Sequence, residues 1–311
     1  MLGNEKHPYV TCVTVRNVYV SHIRKMSIYK ELKEKFTMKN AYTDWEDYRN
    51  KLTDIVSKYA GDSLLIVGAG RCMDYDLNKL SKNFKHITLS DIDEDALEEG
   101  VKRYKDEQDK NITGDRAEIV RKIVSINGLY EADINLFCEE LFAYVRAYGN
   151  KLTEAIYEEK IADMLCSLKE RMLLVMNKNE GFFKEKSYDV IVCSGVYSQL
   201  LSMLSFFICS LAQSISDAGI FDGKGVAKKA EKMLSDINNE LIPIINKRLI
   251  NASKNVVIFG NEYFNSGGVE GAYQCISDIK NNYGAEEILL NWTFNKSDNV
   301  KYDMLIQIVK K

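Results

Sequence analysis

The residues with the clearest chemical potential lie in Ser63-Leu-Leu-Ile-Val-Gly68-Ala-Gly70-Arg-Cys-Met-Asp74. A short apolar run ends in Gly-x-Gly, a turn in which backbone N–H groups approach a ligand closely because no Cβ intervenes. A second apolar run, His86-Ile-Thr-Leu-Ser90, follows and closes on Asp91-Ile92-Asp93. An acid at the tip of the second strand of a βαβ unit is placed to hold a ribose hydroxyl pair. Turn and acid together imply a nucleoside-containing cofactor, bound by Gly68, Ala69, Gly70 and Asp91. The plainer roles are a strand-to-helix turn for the glycines and helix caps for the acids, with Asp93 competing for the cap and Asp74 and Asp76 read as caps.

The elements around these residues read as an α/β chain. Leu64–Val67 lacks polar alternation, as expected of a parallel strand covered on both faces. Leu77, Leu80 and Phe84 give the next helix its buried stripe, and Asp93 opens another whose acids come first and bases later. Residues 117–129 read as a third strand and its exit, 187–193 as a fourth and 255–260 as a fifth. Residues 130–180 are helical in pattern, far longer than one crossover helix needs, and so form an insertion of two or three helices. An amphipathic helix over about 226–250 is interrupted near Pro243. Glu287–Phe294 and Val300–Val309 are two strands joined by a short polar loop, a hairpin and therefore antiparallel.

Ahead of this lies a helical lead-in, residues 1–60. Tyr9–Val20 reads as a strand. Helical spacing then recurs over 27–36 and 43–59, with Thr43 and Glu46 as a capping box. Residues 61–311 form the ligand-binding domain, and residues 1–60 with 130–180 are expected to build a helical lid.

Bulk properties narrow the function classes. With 311 residues, 46% of them hydrophobic, the chain can bury a full core. A net charge of −3 gives no pull toward nucleic acid. Seven dispersed cysteines without Cys-x-x-Cys read as reduced thiols, hence a cytoplasmic protein, and Cys72 and Cys193 as buried hydrophobes. Three histidines make a histidine-rich metal site improbable, so no metal is expected. The N-terminus lacks the apolar region of a signal peptide. Residues 190–216 carry no charge, long enough for a membrane span, but their many Ser and Gln favour a buried strand followed by a largely buried helix, with no membrane partner. An uncharged helix also suits a subunit interface, and a homodimer is expected.

Five strand–helix units followed by a C-terminal hairpin resemble the class I S-adenosylmethionine-dependent methyltransferase fold over roughly residues 55–311. That resemblance implies a doubly wound, mostly parallel seven-stranded sheet whose last strand inserts antiparallel between the fifth and sixth. A plain dinucleotide-binding fold would use a parallel sixth strand. It implies S-adenosylmethionine as cofactor: Gly68-Ala69-Gly70 around its methionine portion, Asp91 on the ribose, Ile92 on the adenine, Ser125 and Ile126 at the adenine edge, and Ser194 and Gly195 facing the sulfonium. Tyr197, Asn261 and Tyr263, which follow strands four and five, are the pocket expected for a small-molecule or peptide substrate. Should the nucleophile need a general base, Tyr197, Tyr263 and Glu262 are nearest. The chain departs from the family at the third glycine, here Cys72, and at the third-strand acid, here Ser125. Two other readings stay open: a non-catalytic scaffold and a nicotinamide-dependent oxidoreductase.

Overall fold

The computed structural model describes residues 28–108, 117–178, 182–264, 267–268 and 270–311. The strand expected over Tyr9–Val20 lies outside them. In chain order the elements are α1 (Ile28–Phe36), α2 (Ala41–Asp44), α3 (Glu46–Ser57), β1 (Ser63–Val67), α4 (Leu77–Leu80), β2 (His86–Asp91), α5 (Glu94–Gln108) and β3 (Glu118–Ile123). Then come α6 (Glu131–Tyr148), α7 (Glu154–Lys178), β4 (Tyr188–Ser194), α8 (Ser202–Asp217), α9 (Lys224–Ala252), β5 (Ser253–Phe264), the two-residue β6 (Gly267–Gly268), α10 (Ala272–Asn282), β7 (Glu286–Asn295) and β8 (Val300–Lys310).

The sheet runs β3-β2-β1-β4-β5-β8-β7, with β6 paired to β5. Strands β1 to β5 are mutually parallel, while β8 pairs antiparallel with both β5 and β7. This is the reversed, inserted last strand of the methyltransferase-like fold, and it separates the chain from a plain dinucleotide-binding sheet. Strand order turns back between β1 and β4, and the carboxyl ends at that point are where ligands bind in open α/β sheets. The two-residue β6 has no counterpart in the sequence reading.

One face of the sheet carries Leu64, Ile66, Val190, Val192, Ile258 and Ile306, packed with Leu52 and Val56 of α3 and Leu80 and Leu97 beneath α4 and α5. Alternate residues of each strand thus enter one core, as the pleat requires. Helix α3 is held to this face by an aromatic group. Trp45 lies 4.9 Å from Trp292 ring to ring and donates its indole N–H to the Phe294 carbonyl at 2.8 Å.

The chain divides into two compact units, and the division does not fall at residue 60. The described residues up to Phe36, with Ala132–Leu165 and Met203–Met233, form a helical unit, and the rest, beginning at Thr37, form the sheet unit. Within the helical unit Asn135 of α6 accepts from the Tyr29 N–H of α1 at 2.8 Å, and the Phe36 and Phe206 rings meet edge to face. The aromatic anchor of α3 explains why residues 37–57 belong with the sheet.

Three local expectations are revised. Thr43 lies inside α2 and Trp45 precedes α3 without a side-chain cap, so the capping box does not form. Helix α9 continues through Pro243. The carbonyl that proline leaves without its N–H donor belongs to Asn239, which like Pro243 is exposed. Helix α8 buries only Leu204, Phe207, Ile208, Leu211, Ala212 and Ile215, and its other residues are mostly half-buried. By length and apolarity alone, Tyr197–Asp217, with a mean hydropathy of 1.4, suffices to cross a bilayer.

Candidate functional site at the carboxyl edge of the sheet

Strand β1 delivers the chain to Gly68, whose φ of +66° only glycine adopts without strain. Backbone bonds lock the turn onto β2: Ala69 N–H donates to the Ser90 carbonyl at 3.0 Å, and Gly70 N–H to Asp91 Oδ2 at 2.8 Å. Asp93 N–H donates to Asp91 Oδ1 at 3.0 Å, and Asp93 itself caps α5 through Ala96 N–H. The Asp91 carboxylate therefore sits half-buried against the Gly-rich turn, with a backbone N–H on each oxygen. Burial raises its pKa, and the backbone N–H groups oppose that shift.

Where a third glycine was missing, Cys72 itself takes a φ of +53° and buries its side chain. A Cβ placed on Gly100 of α5 would lie 3.0 Å from the Cys72 sulfur, so the two residues pack in intimate contact. The glycine-like turn survives without the glycine. Burial pushes the Cys72 thiol up to about 12 and raises Cys193 as well, which leaves both as unreactive core groups.

Access to the turn is uneven. A Cβ on Gly70 would meet nothing nearer than Asp91 Oδ2 at 3.9 Å, and one on Gly195, after β4, would meet nothing within 4 Å. At Gly68 a Cβ would fall 2.2 Å from Val196 Cγ2. Gly70 and Gly195 thus front open space, whereas Gly68 makes room for Val196.

The other expected cofactor residues are placed as follows. Ile92 and Ile126 are half-buried at the tips of β2 and β3. Ser125 is buried and engaged: its hydroxyl donates to Asn127 Oδ1 at 2.9 Å. Asn127, which the sequence did not flag, also donates to the Leu200 carbonyl at 3.1 Å and so ties the β3 exit to the segment after β4. Ser194 is buried and shares a 2.7 Å hydrogen bond with the Tyr48 hydroxyl of α3. Gly195 N–H donates to the Gly260 carbonyl at 2.9 Å.

The expected substrate pocket is redrawn. Tyr197 is buried, with its hydroxyl donating to Asn246 Oδ1 of α9 at 2.5 Å. Asn261 is buried in the same network, donating to Cys275 Sγ at 3.4 Å. Both side chains therefore belong to the layer between the sheet and helices α9 and α10, because the turn after β4 rolls Tyr197 under the sheet. Tyr263 is half-buried, opposite Gly268 and Asp303 in the ladder.

On the opposite face of β5 the structure assembles a group that the sequence reading mostly missed. Glu262 is buried; its Oε1 accepts from the Ser198 hydroxyl at 2.7 Å and its Oε2 has no partner among the described residues. Asp74 Oδ1 and the Tyr75 hydroxyl are likewise sealed from water and unpartnered among those residues. Arg49 of α3 donates to the carbonyls of Tyr42 at 2.7 Å and Met73 at 3.2 Å, fixing the loop that carries Asp74. Asp74 is not a cap; Asp76 is, accepting from Lys79 N–H at 3.0 Å. The signal in the sequence was the pair Asp74-x-Asp76, of which only one can cap α4.

Burial first, and then the Glu262 carboxylate, raise the Asp74 pKa from 3.8 to about 7, against the pull of Arg49. The folded protein thus binds this proton more tightly than the unfolded chain does. The Asp74 contribution is therefore most favourable below pH 3.8 and is lost as pH rises toward about 7. The Asp74→Asn protein is expected to show a flatter stability–pH profile across that window. Above it, the variant should be more stable than the parent by on the order of a few kcal/mol. Urea unfolding at a series of pH values reads this directly, and parallel profiles would contradict the buried, raised carboxyl.

No family model matches the chain, and no curated protein matches it. Among solved structures it is similar to TehB from Haemophilus influenzae, 10% identical with a TM-score of 0.43 over 84% of this chain and 62% of that one. It is also similar to the N-methyltransferase NodS from Bradyrhizobium japonicum in complex with S-adenosyl-l-homocysteine, 12% identical with a TM-score of 0.41 over 91% of this chain and 97% of that one. A third is magnesium protoporphyrin IX methyltransferase (ChlM) from Synechocystis PCC 6803 with bound SAM, 10% identical with a TM-score of 0.38 over 91% of this chain and 89% of that one. The chain spans 62% of the length of TehB. Strand order and the reversed β8, rather than these distant neighbours, define the fold.

Proposed function

We propose that the protein is an S-adenosylmethionine-dependent methyltransferase acting on a small molecule or peptide. The observation that carries this reading is the Asp91 carboxylate locked against the Gly70 turn, beside the point where strand order reverses in a sheet with an antiparallel β8. When bound, S-adenosylmethionine supplies an electrophilic methyl group. Asp91 would hold the ribose hydroxyls, and Ile92 and Ile126 would flank the adenine, with Ser125 at its edge and its hydroxyl engaged by Asn127. Backbone at Ala69 and Gly70 would receive the amino-acid end, and Ser194 and Gly195 would face the reacting centre. Orientation of the acceptor by such fixed groups can supply several kcal/mol of the rate enhancement. We further infer a cytoplasmic homodimer that contacts neither nucleic acid nor membrane.

One observation favours the rival scaffold reading: Val196 occupies the space in front of Gly68. Calorimetric titration of the full chain with S-adenosylmethionine, S-adenosylhomocysteine and NAD separates the readings. Saturable binding of the first two and none of NAD is expected. Binding of NAD alone would overturn the proposal, and binding of none would leave the scaffold.

A further inference from the structure

Glu262 stands outside the roles assigned so far. It is only 8% exposed, its Oε2 is sealed without a partner, and no lysine or arginine pairs with it among the described residues. A buried carboxylate that lacks both a second donor and a counter-ion is costly to keep charged. Burial raises its pKa, against the Ser198 hydrogen bond. A cation arriving nearby would offset that cost.

Contacts tie this carboxyl to the exit of β4. Its Oε1 accepts from the Ser198 hydroxyl at 2.7 Å, in the turn that Gly195 opens. Gly195 N–H in turn donates to the Gly260 carbonyl at 2.9 Å, and Ser194 is the ladder partner of Gly260. Gly260 lacks the Cβ that would fall 2.2 Å from Ser194 Oγ, so the Ser194 hydroxyl packs against bare backbone. Glu262 follows on the same face of β5, about 7 Å further toward the carboxyl edge. Gly195 fronts open space, and in the proposed complex that space receives the sulfonium.

A sulfonium carries a positive charge and no N–H to donate. It acts on Glu262 through charge alone, so a sealed oxygen is no obstacle to it. Resting on the methyltransferase reading, we propose that Glu262 biases the site toward the charged cofactor, S-adenosylmethionine, over its neutral spent form, S-adenosylhomocysteine. On turnover Glu262 loses its cation: the methyl leaves without electrons and the C–S bonding pair stays on sulfur. The positive charge passes with the methyl to the acceptor, which releases a proton to water. Glu262 therefore favours exchange of spent for fresh cofactor rather than the chemical step, whose transition state has already given up part of the sulfonium charge.

The test is paired calorimetry of the full chain with S-adenosylmethionine and S-adenosylhomocysteine, at one pH above the Asp74 transition near 7. At a separation on the order of 8 Å and an effective dielectric constant of about 20, loss of the charge corresponds to about tenfold or more in affinity. Glu262→Gln should weaken S-adenosylmethionine by that factor and leave S-adenosylhomocysteine within about twofold. Glu262→Asp, which keeps the charge, should retain most of the parent's preference. An equal loss for both ligands, or none for either, would overturn the inference while the methyltransferase reading stands. Should the glutamine variant fail to fold, carboxyl NMR of the parent decides. Saturating S-adenosylmethionine should place the Glu262 transition at lower pH than saturating S-adenosylhomocysteine does, and identical transitions would overturn the inference. Asp74, Tyr48 and Arg49 are the other ionisable groups acting in this region, so the Asp74 transition is followed alongside. If the parent binds neither nucleoside, the methyltransferase reading falls and the inference with it.

Discussion

The Asp91→Asn protein is expected to bind S-adenosylmethionine about ten- to a hundredfold more weakly than the parent, while remaining folded. The carboxylate is held at the turn by Gly70 N–H at 2.8 Å and Asp93 N–H at 3.0 Å, one on each oxygen. In the proposed complex a vicinal diol would donate to the same carboxylate. Hydrogen bonds to a charged acceptor contribute about 1.5–3 kcal/mol each, and about 1.4 kcal/mol is tenfold in affinity. The amide keeps one acceptor oxygen, so one backbone N–H loses its partner at a cost nearer 1 kcal/mol. Affinity should therefore fall much further than stability. Paired titration calorimetry and urea unfolding separate the two, and an unchanged affinity would remove the ribose role.

Gly68→Ala should destabilise the protein by about 2–5 kcal/mol through two separable causes. A non-glycine residue in the left-handed region costs about 1–2 kcal/mol, and φ here is +66°. Overpacking adds about 1–3 kcal/mol, since the new methyl would fall 2.2 Å from Val196 Cγ2, on a β-branched side chain with little rotamer freedom. Adding Val196→Ala should recover the packing share alone, leaving the backbone share of about 1–2 kcal/mol. The double-mutant cycle thus measures how tightly Val196 covers the turn. Strict additivity would mean that the two residues do not touch. Val196→Ala by itself opens the space in front of Gly68 and is expected to leave S-adenosylmethionine affinity unchanged or improved.

What the sequence disclosed follows from how locally each feature is encoded. The strands β1 and β4 announce themselves as apolar runs because parallel strands are covered on both faces. The reversed β8 was legible because a short polar loop between two strand patterns leaves no room for a crossover. Asp91 and the Asp93 cap were legible from spacing alone. Asp74 was not, since a capping acid and an acid with a sealed oxygen look alike in sequence, and the Glu262 and Arg49 charges that act on it come from other elements of the chain. Tyr48 reads as one more apolar position in α3; only its bond to Ser194 gives it a polar role. Tyr197 was misplaced because the side of the sheet it enters depends on the turn after Gly195. Val196 over Gly68 was invisible for the same reason.

The most direct measurement is a crystal structure of the full chain with S-adenosylhomocysteine. Both ribose hydroxyls should donate to Asp91, and the amino-acid end should lie against the backbone at Ala69 and Gly70. A nucleoside bound elsewhere, or no nucleoside at the turn at saturating ligand, would contradict the account.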